Sequence, residues 1–230
     1  MTQSETKNAN SLVATGAAGV TVVQTAEGET TAKIAVRVAR VERKTKETDI
    51  TVEINLDGTG VTAINTGVPF FDHMLDAFGR HGLFDLTIEA HGDTEVDDHH
   101  TVEDVGIVLG QAIAQALGDK RGIARFASPS IPMDESLVMA AVDISGRGGF
   151  YGGLDLPFGK VGTFDTQLPQ EFFVALATNA GITLHVHALT GTNVHHLIEA
   201  AFKACGRALC EACALNPRIA NQLPSTKGSL

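Results

Sequence analysis

The sequence predicts an α+β fold in which one half-domain (strands, helix, strand, helix) is used twice. Three observations predict it. Runs with strand-like alternation give way to helical spacing of the apolar residues. The order of these segments then recurs along the chain. The motif His-His-x-x-Glu is written twice, as "HHTVE" from His99 and as "HHLIE" from His195.

Each element has its own signal. "KIAVRVARVERKT", from residue 34, and "TDITVEINLDG" alternate apolar and polar residues as strands do. "VPFFDHMLDAFGRHG" spaces Phe71, Met74, Leu75 and Phe78 along one helical face, with Gly79 or Gly82 to close it. "FDLTIEAHGD" is a strand. "HHTVEDVGIVLGQAIAQALG" is a long helix stopped by Gly118, with Val105, Val108, Leu109, Ala112, Ile113 and Ala116 on one side. Then the order repeats. "ESLVMAAVDISG" and "GFYGGLDLP" are strands, "PQEFFVALATNAG" a helix, "ITLHVHAL" a strand and "NVHHLIEAAFKACGRALCEA" a long helix. With Glu171 laid on His73, Leu184 falls on Leu86 in the strand that follows. The halves are 34–125 and 126–217, with sheets outside and helices between. Residues 1–33, rich in Thr, Ser, Ala, Gly, Gln and Glu, read as a mobile tail or a poorly packed strand. They carry no apolar signal segment and no arginine, so neither a secretory nor an organellar leader is expected. Residues 218–230 form a C-terminal tail.

Composition sets limits. The 230 residues are 43% hydrophobic, enough for a substantial core, and no run reaches the ~18 apolar residues of a membrane helix. A net charge of −10 argues against a nucleic-acid surface but not against a local pocket for a small anion. Three clustered cysteines, Cys205, Cys210 and Cys213, are no disulfide framework. They read as buried helix residues of a reducing compartment, the cytoplasm.

The repeated motif points to metal. Adjacent residues on a helix point about 100° apart, so His99 and His100 do not chelate one ion together. His100 with Glu103, and His196 with Glu199, are spaced i, i+3 and share a face. The expected groups are therefore His73, His100, Glu103 and a borrowed His195 for one ion. Glu171, His196, Glu199 and a borrowed His99 serve the other. Imidazole and carboxylate donors without thiolate favour a six-coordinate ion such as Mn²⁺. Lys203, four residues after Glu199, flanks one metal face, where the first helix has Ile107. That asymmetry suits an anionic substrate. Arg125, Arg147, Ser225 and Lys227 are residue types that suit phosphate.

Taken together, "RVERKTKETDI", "FFDHMLDAFGRHGLFDL", "DDHHTVEDVGIVLG", "GITLHVHAL", "NVHHLIEAAFKA" and "PSTKG" resemble the imidazoleglycerol-phosphate dehydratase family of histidine biosynthesis, over roughly 36–230. The resemblance implies helices sandwiched between two four-stranded sheets, two Mn²⁺ per subunit at subunit interfaces, and a homo-oligomer of 24 subunits. It implies metal ligands at His73, His99, His100, Glu103, Glu171, His195, His196 and Glu199. Family members often carry His where this chain has Glu171. Phosphate contacts fall on Arg125, Arg147, Lys203, Ser225 and Lys227. Glu47, in "KETDI", matches the family's acid/base group, and His81 matches a position near the substrate; should Glu47 not move the proton, the next candidate bases are a metal-bound water and Asp76, which sits one helical step after His73 on the same face. Substrate contacts are also implied for His73, His99, Glu103 and His195. The reaction implied is loss of water from imidazoleglycerol phosphate to give imidazole-acetol phosphate. Ions on the two ring nitrogens hold an imidazolate, whose electron density expels the neighbouring hydroxyl. A ferritin-like metal store would use Glu-x-x-His on a bundle without strands. A dinuclear metal hydrolase would need an open water site. The metal store would also not call for Lys203 or "PSTKG".

Overall fold

The computed structural model describes residues 37–230. Of the first 36 it describes only three short strands, β1 (Val13–Thr15), β2 (Val20–Gln24) and β3 (Thr30–Ile34), which form an antiparallel sheet of their own in the order β1-β2-β3. The expected tail over 1–33 otherwise lies outside the described residues.

The first half supplies β4 (Val38–Lys44), β5 (Thr48–Asn55), β6 (Thr62–Asn65), α1 (Pro69–His81), β7 (Asp85–Gly92) and α2 (His99–Leu117). Strict alternation builds the sheet. Ile50, Val52 and Ile54 of β5 and Leu86, Ile88 and Ala90 of β7 point inward and are buried. Asp49, Glu53, Glu89 and His91 point outward. The strand order is β4-β5-β7-β6, antiparallel except for the β6–β7 pair.

The second half supplies β8 (Phe126–Ala127), β9 (Ser130–Met133), β10 (Ser136–Asp143), β11 (Gly149–Gly153), the two-residue strands β12 (Lys160–Val161) and β13 (Phe164–Asp165), α3 (Leu168–Ala180), β14 (Thr183–Thr190) and α4 (Val194–Cys213). Its sheet runs β11-β14-β10, with β8 and β9 both on the remaining edge of β10. The parallel β11–β14 pair corresponds to β6–β7. The two sheets thus share one topology, and Ile54 opposite Leu86 has its counterpart in Val142 opposite Leu184. One detail differs from the expected pair of four-stranded sheets. The lane that β4 fills alone is divided at Ser128–Pro129 into β8 and β9, so the second sheet counts five strands. Pro129 has no N–H for the ladder, although its carbonyl still accepts from the Ala140 amide at 3.0 Å.

The four helices fill the space between the sheets. α2 packs on β5 and α4 on β10, while α2 also packs along α3, and α1 along α4. Each half's first helix therefore lies against the other half's second helix. Two glycines at matching places permit this. A Cβ on Gly110 of α2 would stand 2.7 Å from the Leu176 carbonyl oxygen of α3, and one on Gly206 of α4 would stand 2.3 Å from that of Phe78 in α1. Phe71, Phe172, Phe173 and Phe202 fill the middle, with Phe172 and Phe202 stacked at 5.0 Å between centroids.

Candidate metal centre

The exchange of helices decides which side chains meet. His73 comes from α1, and His195 and Glu199 from the first turns of α4, which Asn193 caps by accepting from the His195 and His196 amides at 3.0 and 3.3 Å. One Glu199 oxygen lies 3.1 Å from His195 Nε2 and 3.3 Å from His73 Nε2. Among the described residues this is the one group of three whose donor atoms all lie within 4.8 Å of one another. Metal–ligand bonds of roughly 2.0–2.2 Å at right angles put neighbouring donors about 3 Å apart, so the spacing fits one ion. The other Glu199 oxygen accepts from Lys203 Nζ at 2.7 Å. Burial opposes ionisation of Glu199, but Lys203, His195 and His73 outweigh it and hold its carboxyl below the ordinary value. His81 is nearby: burial, then the charge of Lys203, lowers its proton affinity. Its ring stays neutral at neutral pH and can exchange hydrogen bonds.

This is not the expected grouping. His73 does not join His100 and Glu103, because α1 packs on α4 and not on α2. The active spacing is also i, i+4: His195, not His196, reaches Glu199. The first half repeats the rule, with His99 Nε2 3.8 Å from Glu103. Glu171 of α3 lines one cavity with His99, Asp97, Asp98 and Lys160. Burial and the neighbouring Asp97 hold the Asp98 carboxyl above its ordinary value.

His100 and His196 point away from both groups, each toward a carboxylate. His100 Nδ1 lies 3.1 Å from Asp93 and His196 Nδ1 lies 2.8 Å from Glu135. The Asp93 hydrogen bond raises the pKa of His100 against the opposing effect of burial, and the charge of Glu47 adds to it. Glu47 sits exposed in the β4–β5 turn, and its side chain takes no hydrogen bond among the described residues. The turn is held by Thr48, whose hydroxyl donates to the buried Asp104 of α2 at 2.5 Å, and by Arg43, paired with the same carboxylate. Asp93 and Glu135 were not found from the sequence. The signal was there: Glu135 has the same place before β10 that Glu47 has before β5. Asp76, expected beside His73, is instead engaged by Thr62 of β6 and by Arg80.

The phosphate candidates fall into two places. Arg125 is tied to Asp143 at 2.7 Å and donates to the Pro224 carbonyl at 2.7 Å, which pins the C-terminal tail. Arg147, mostly exposed, lies 4.0 Å from the same Asp143. Ser225 accepts from the Lys227 amide at 3.2 Å within that tail. Lys203 stands apart from these, on α4 beside Glu199. The cysteines are free, with Cys205 and Cys213 buried and Cys210 half-buried. No helix among the described residues is long and apolar enough to cross a membrane.

Comparison with known proteins agrees with this frame. The family model for imidazoleglycerol-phosphate dehydratase matches residues 66–209. The dehydratase of Dinoroseobacter shibae is 61% identical over 84% of this chain and all of its own length. That of Desulforamulus reducens is 60% identical over 84% of this chain and 98% of its own. Among solved structures, the Staphylococcus aureus enzyme matches with a TM-score of 0.71 at 42% identity, covering 78% of this chain and 99% of its own. The Pyrococcus furiosus enzyme, in complex with (S)-C348, matches with 0.71 at 37%, covering 83% and 100%. The chain belongs to the imidazoleglycerol-phosphate dehydratase family.

Proposed function

We propose that this chain removes water from imidazoleglycerol phosphate to give imidazole-acetol phosphate, a step of histidine biosynthesis, in the cytoplasm. The observation that carries the reading is the convergence of His73, His195 and Glu199 with Lys203 on the same carboxylate. The donor set fits Mn²⁺ in spacing and in hardness. One ion belongs to His73, His195 and Glu199, and a second to His99, Glu103 and Glu171. Each set lacks a fourth protein donor, and His100 and His196 are the unused imidazoles. They serve the ions of a neighbouring subunit, so the borrowed ligands are His100 and His196 and not the other member of each pair. The ions, when bound, would hold the substrate ring as an imidazolate and stabilise its developing charge.

The chain's own groups do the rest. His81 and Lys203 orient the substrate beside the first ion. Arg125, Arg147, Ser225 and Lys227 receive the phosphate, joined by Lys203 across a subunit boundary, since one chain keeps the two groups apart. Glu47, unengaged and close to His100, takes the proton from the carbon next to the departing hydroxyl and returns one to the product. Assembly also has a surface. The outer face of the second sheet carries exposed Phe126, Tyr151 stacked on His185 at 5.1 Å, and His187 beyond it, where the first sheet presents charges. A closed homo-oligomer, of 24 subunits, buries it.

The test is direct. Metal-stripped protein given Mn²⁺ and imidazoleglycerol phosphate should release the ketone, and protein without metal should not. Absence of turnover with metal bound refutes the reading. Chelation should also break the large assembly into smaller species on size-exclusion chromatography. An intact oligomer with all metal gone would overturn the interface sites.

A further inference from the structure

We infer that Glu135 and Asp93 are positioning residues for His196 and His100, and that the duplicated halves have exchanged which carboxylate does this work. The inference rests on the reading above, in which these two histidines give their remaining ring nitrogens to ions of a neighbouring subunit; in this chain His196 Nε2 lies 3.8 Å from the exposed Asp134.

The local geometry is specific. One Glu135 oxygen accepts from the Asn193 amide at 2.8 Å, the Thr192 amide at 3.3 Å and the Ser136 hydroxyl at 2.9 Å. These bonds fix the carboxylate against the start of α4. Its other oxygen lies 2.8 Å from His196 Nδ1. An ionised carboxylate only accepts, so Nδ1 must carry the proton and Nε2 keeps the lone pair. A metal-ligating imidazole needs that tautomer, and a carboxylate behind it also fixes the ring plane. Asp93 does the same for His100, with both oxygens 3.1–3.2 Å from Nδ1.

Strand register shows the exchange. The β4–β5 turn closes on Thr45 and Thr48 around Lys46 and Glu47, while β9–β10 closes on Met133 and Ser136 around Asp134 and Glu135. Thr48 and Ser136 are both buried. A Cβ on Gly92 would stand 3.5 Å from the Thr48 Cγ2, and one on Gly191 would stand 2.4 Å from the Ser136 Oγ. Glu47 and Glu135 are therefore counterparts, and so are Asp93 and Thr192, the residues after those glycines. In the second half the turn glutamate holds the histidine and threonine follows the glycine. In the first half an aspartate after the glycine holds the histidine, and the turn glutamate is left unengaged. Only one half can then offer a free carboxylate to the substrate.

Calorimetric titration of Mn²⁺ into metal-stripped full-length protein at pH 8 tests this. Glu135→Gln keeps an acceptor for the backbone amides but turns an N–H toward His196, which favours the opposite tautomer. It should weaken one class of sites by about 10–100-fold, and Asp93→Asn the other class. Glu47→Gln should leave both affinities unchanged. Nitrogen NMR of the stripped protein should report Nδ1–H at His196 in the wild type and Nε2–H in Glu135→Gln. Wild-type affinity and tautomer in Glu135→Gln, while His196→Ala loses one class of sites, would overturn the positioning role alone. Unchanged affinity in both Glu135→Gln and His196→Ala would remove His196 as a ligand and the inference with it. Weakened binding in Glu47→Gln would overturn the exchange.

Discussion

Gly206→Ala measures how far the metal group depends on the contact between α1 and α4. On an open helix surface this change stabilises by about 1 kcal/mol, because glycine is the poorer helix former. Here the new Cβ would lie 2.3 Å from the Phe78 carbonyl oxygen, more than an ångström inside ordinary contact. That oxygen already accepts from the Gly82 amide at 2.9 Å, so it cannot swing aside cheaply. The helices must part. So short a contact puts the cost in the upper part of the overpacking range, about 2–3 kcal/mol, which outweighs the propensity gain and leaves a net loss of about 1–2 kcal/mol. In a domain of this size that lowers Tm by roughly 2–8 °C. Parting α1 from α4 also withdraws His73 from Glu199, now 3.3 Å away, so Mn²⁺ should bind more weakly to one class of sites and normally to the other. Thermal unfolding of the stripped protein and Mn²⁺ titration are the assays. A variant with raised Tm and unchanged Mn²⁺ affinity would show that the close approach does not hold the site together.

Two other perturbations have defined outcomes. Glu47→Gln should lower kcat by ~10²–10⁴-fold with metal content and oligomer size intact, and turnover within a few-fold of wild type would remove Glu47 from proton transfer. Lowering the pH should release the ion that His100 serves. Asp93 raises its pKa above the ordinary value, so the ring protonates, and stops ligating, at a higher pH than a free imidazole near 6.5 would. Because Asp93→Asn also weakens that class of sites, by about 10–100-fold, it should lose Mn²⁺ at a higher pH than the wild type, and an unmoved midpoint would show that Asp93 does not support the site.

Much of this was legible in the sequence, and the limits have physical causes. Strict alternation in "TDITVEIN" and "SLVMAAVD" marked the two central strands, since one face of each is buried and the other is not. The four-residue β6 and the proline-bearing β9 were missed, because so short a run holds too few alternations to register. The duplication emerged because His73 and Glu171 begin matching runs. The ligand grouping did not emerge. Whether His196 or His195 faces Glu199 depends on which neighbour the helix packs against, and i, i+3 and i, i+4 are both allowed on one helix. Only the crossing of α1 over α4, set by a glycine where "KACGRAL" shows just a small residue, decides it.

The two proposed metal groups, His73, His195 and Glu199 in one and His99, Glu103 and Glu171 in the other, differ in charge, and this predicts the order in which they fill. The first has one carboxylate, Glu199, with Lys203 bound to it at 2.7 Å. The second has two, Glu103 and Glu171, and Ile107 stands where Lys203 would be. An ammonium about 5 Å from a divalent ion costs roughly 1–2 kcal/mol even with water-like screening, a factor of about ten in affinity. The additional carboxylate at the second group acts in the same direction. The second group should therefore fill first in a Mn²⁺ titration, in two resolved steps. The first group keeps weaker hold of its ion and has a cation at its side, which suits the anionic substrate. Glu171→His keeps a ligand and removes the added charge, so it should bring the two steps closer together without lowering the final metal content. Glu171→Ala removes the donor and should lower that content. Lys203→Met should also narrow the gap, by strengthening the weaker step. A wild-type titration with two equal steps, or Glu171→Ala with full metal content, would refute the assignment of Glu171 as a charged ligand.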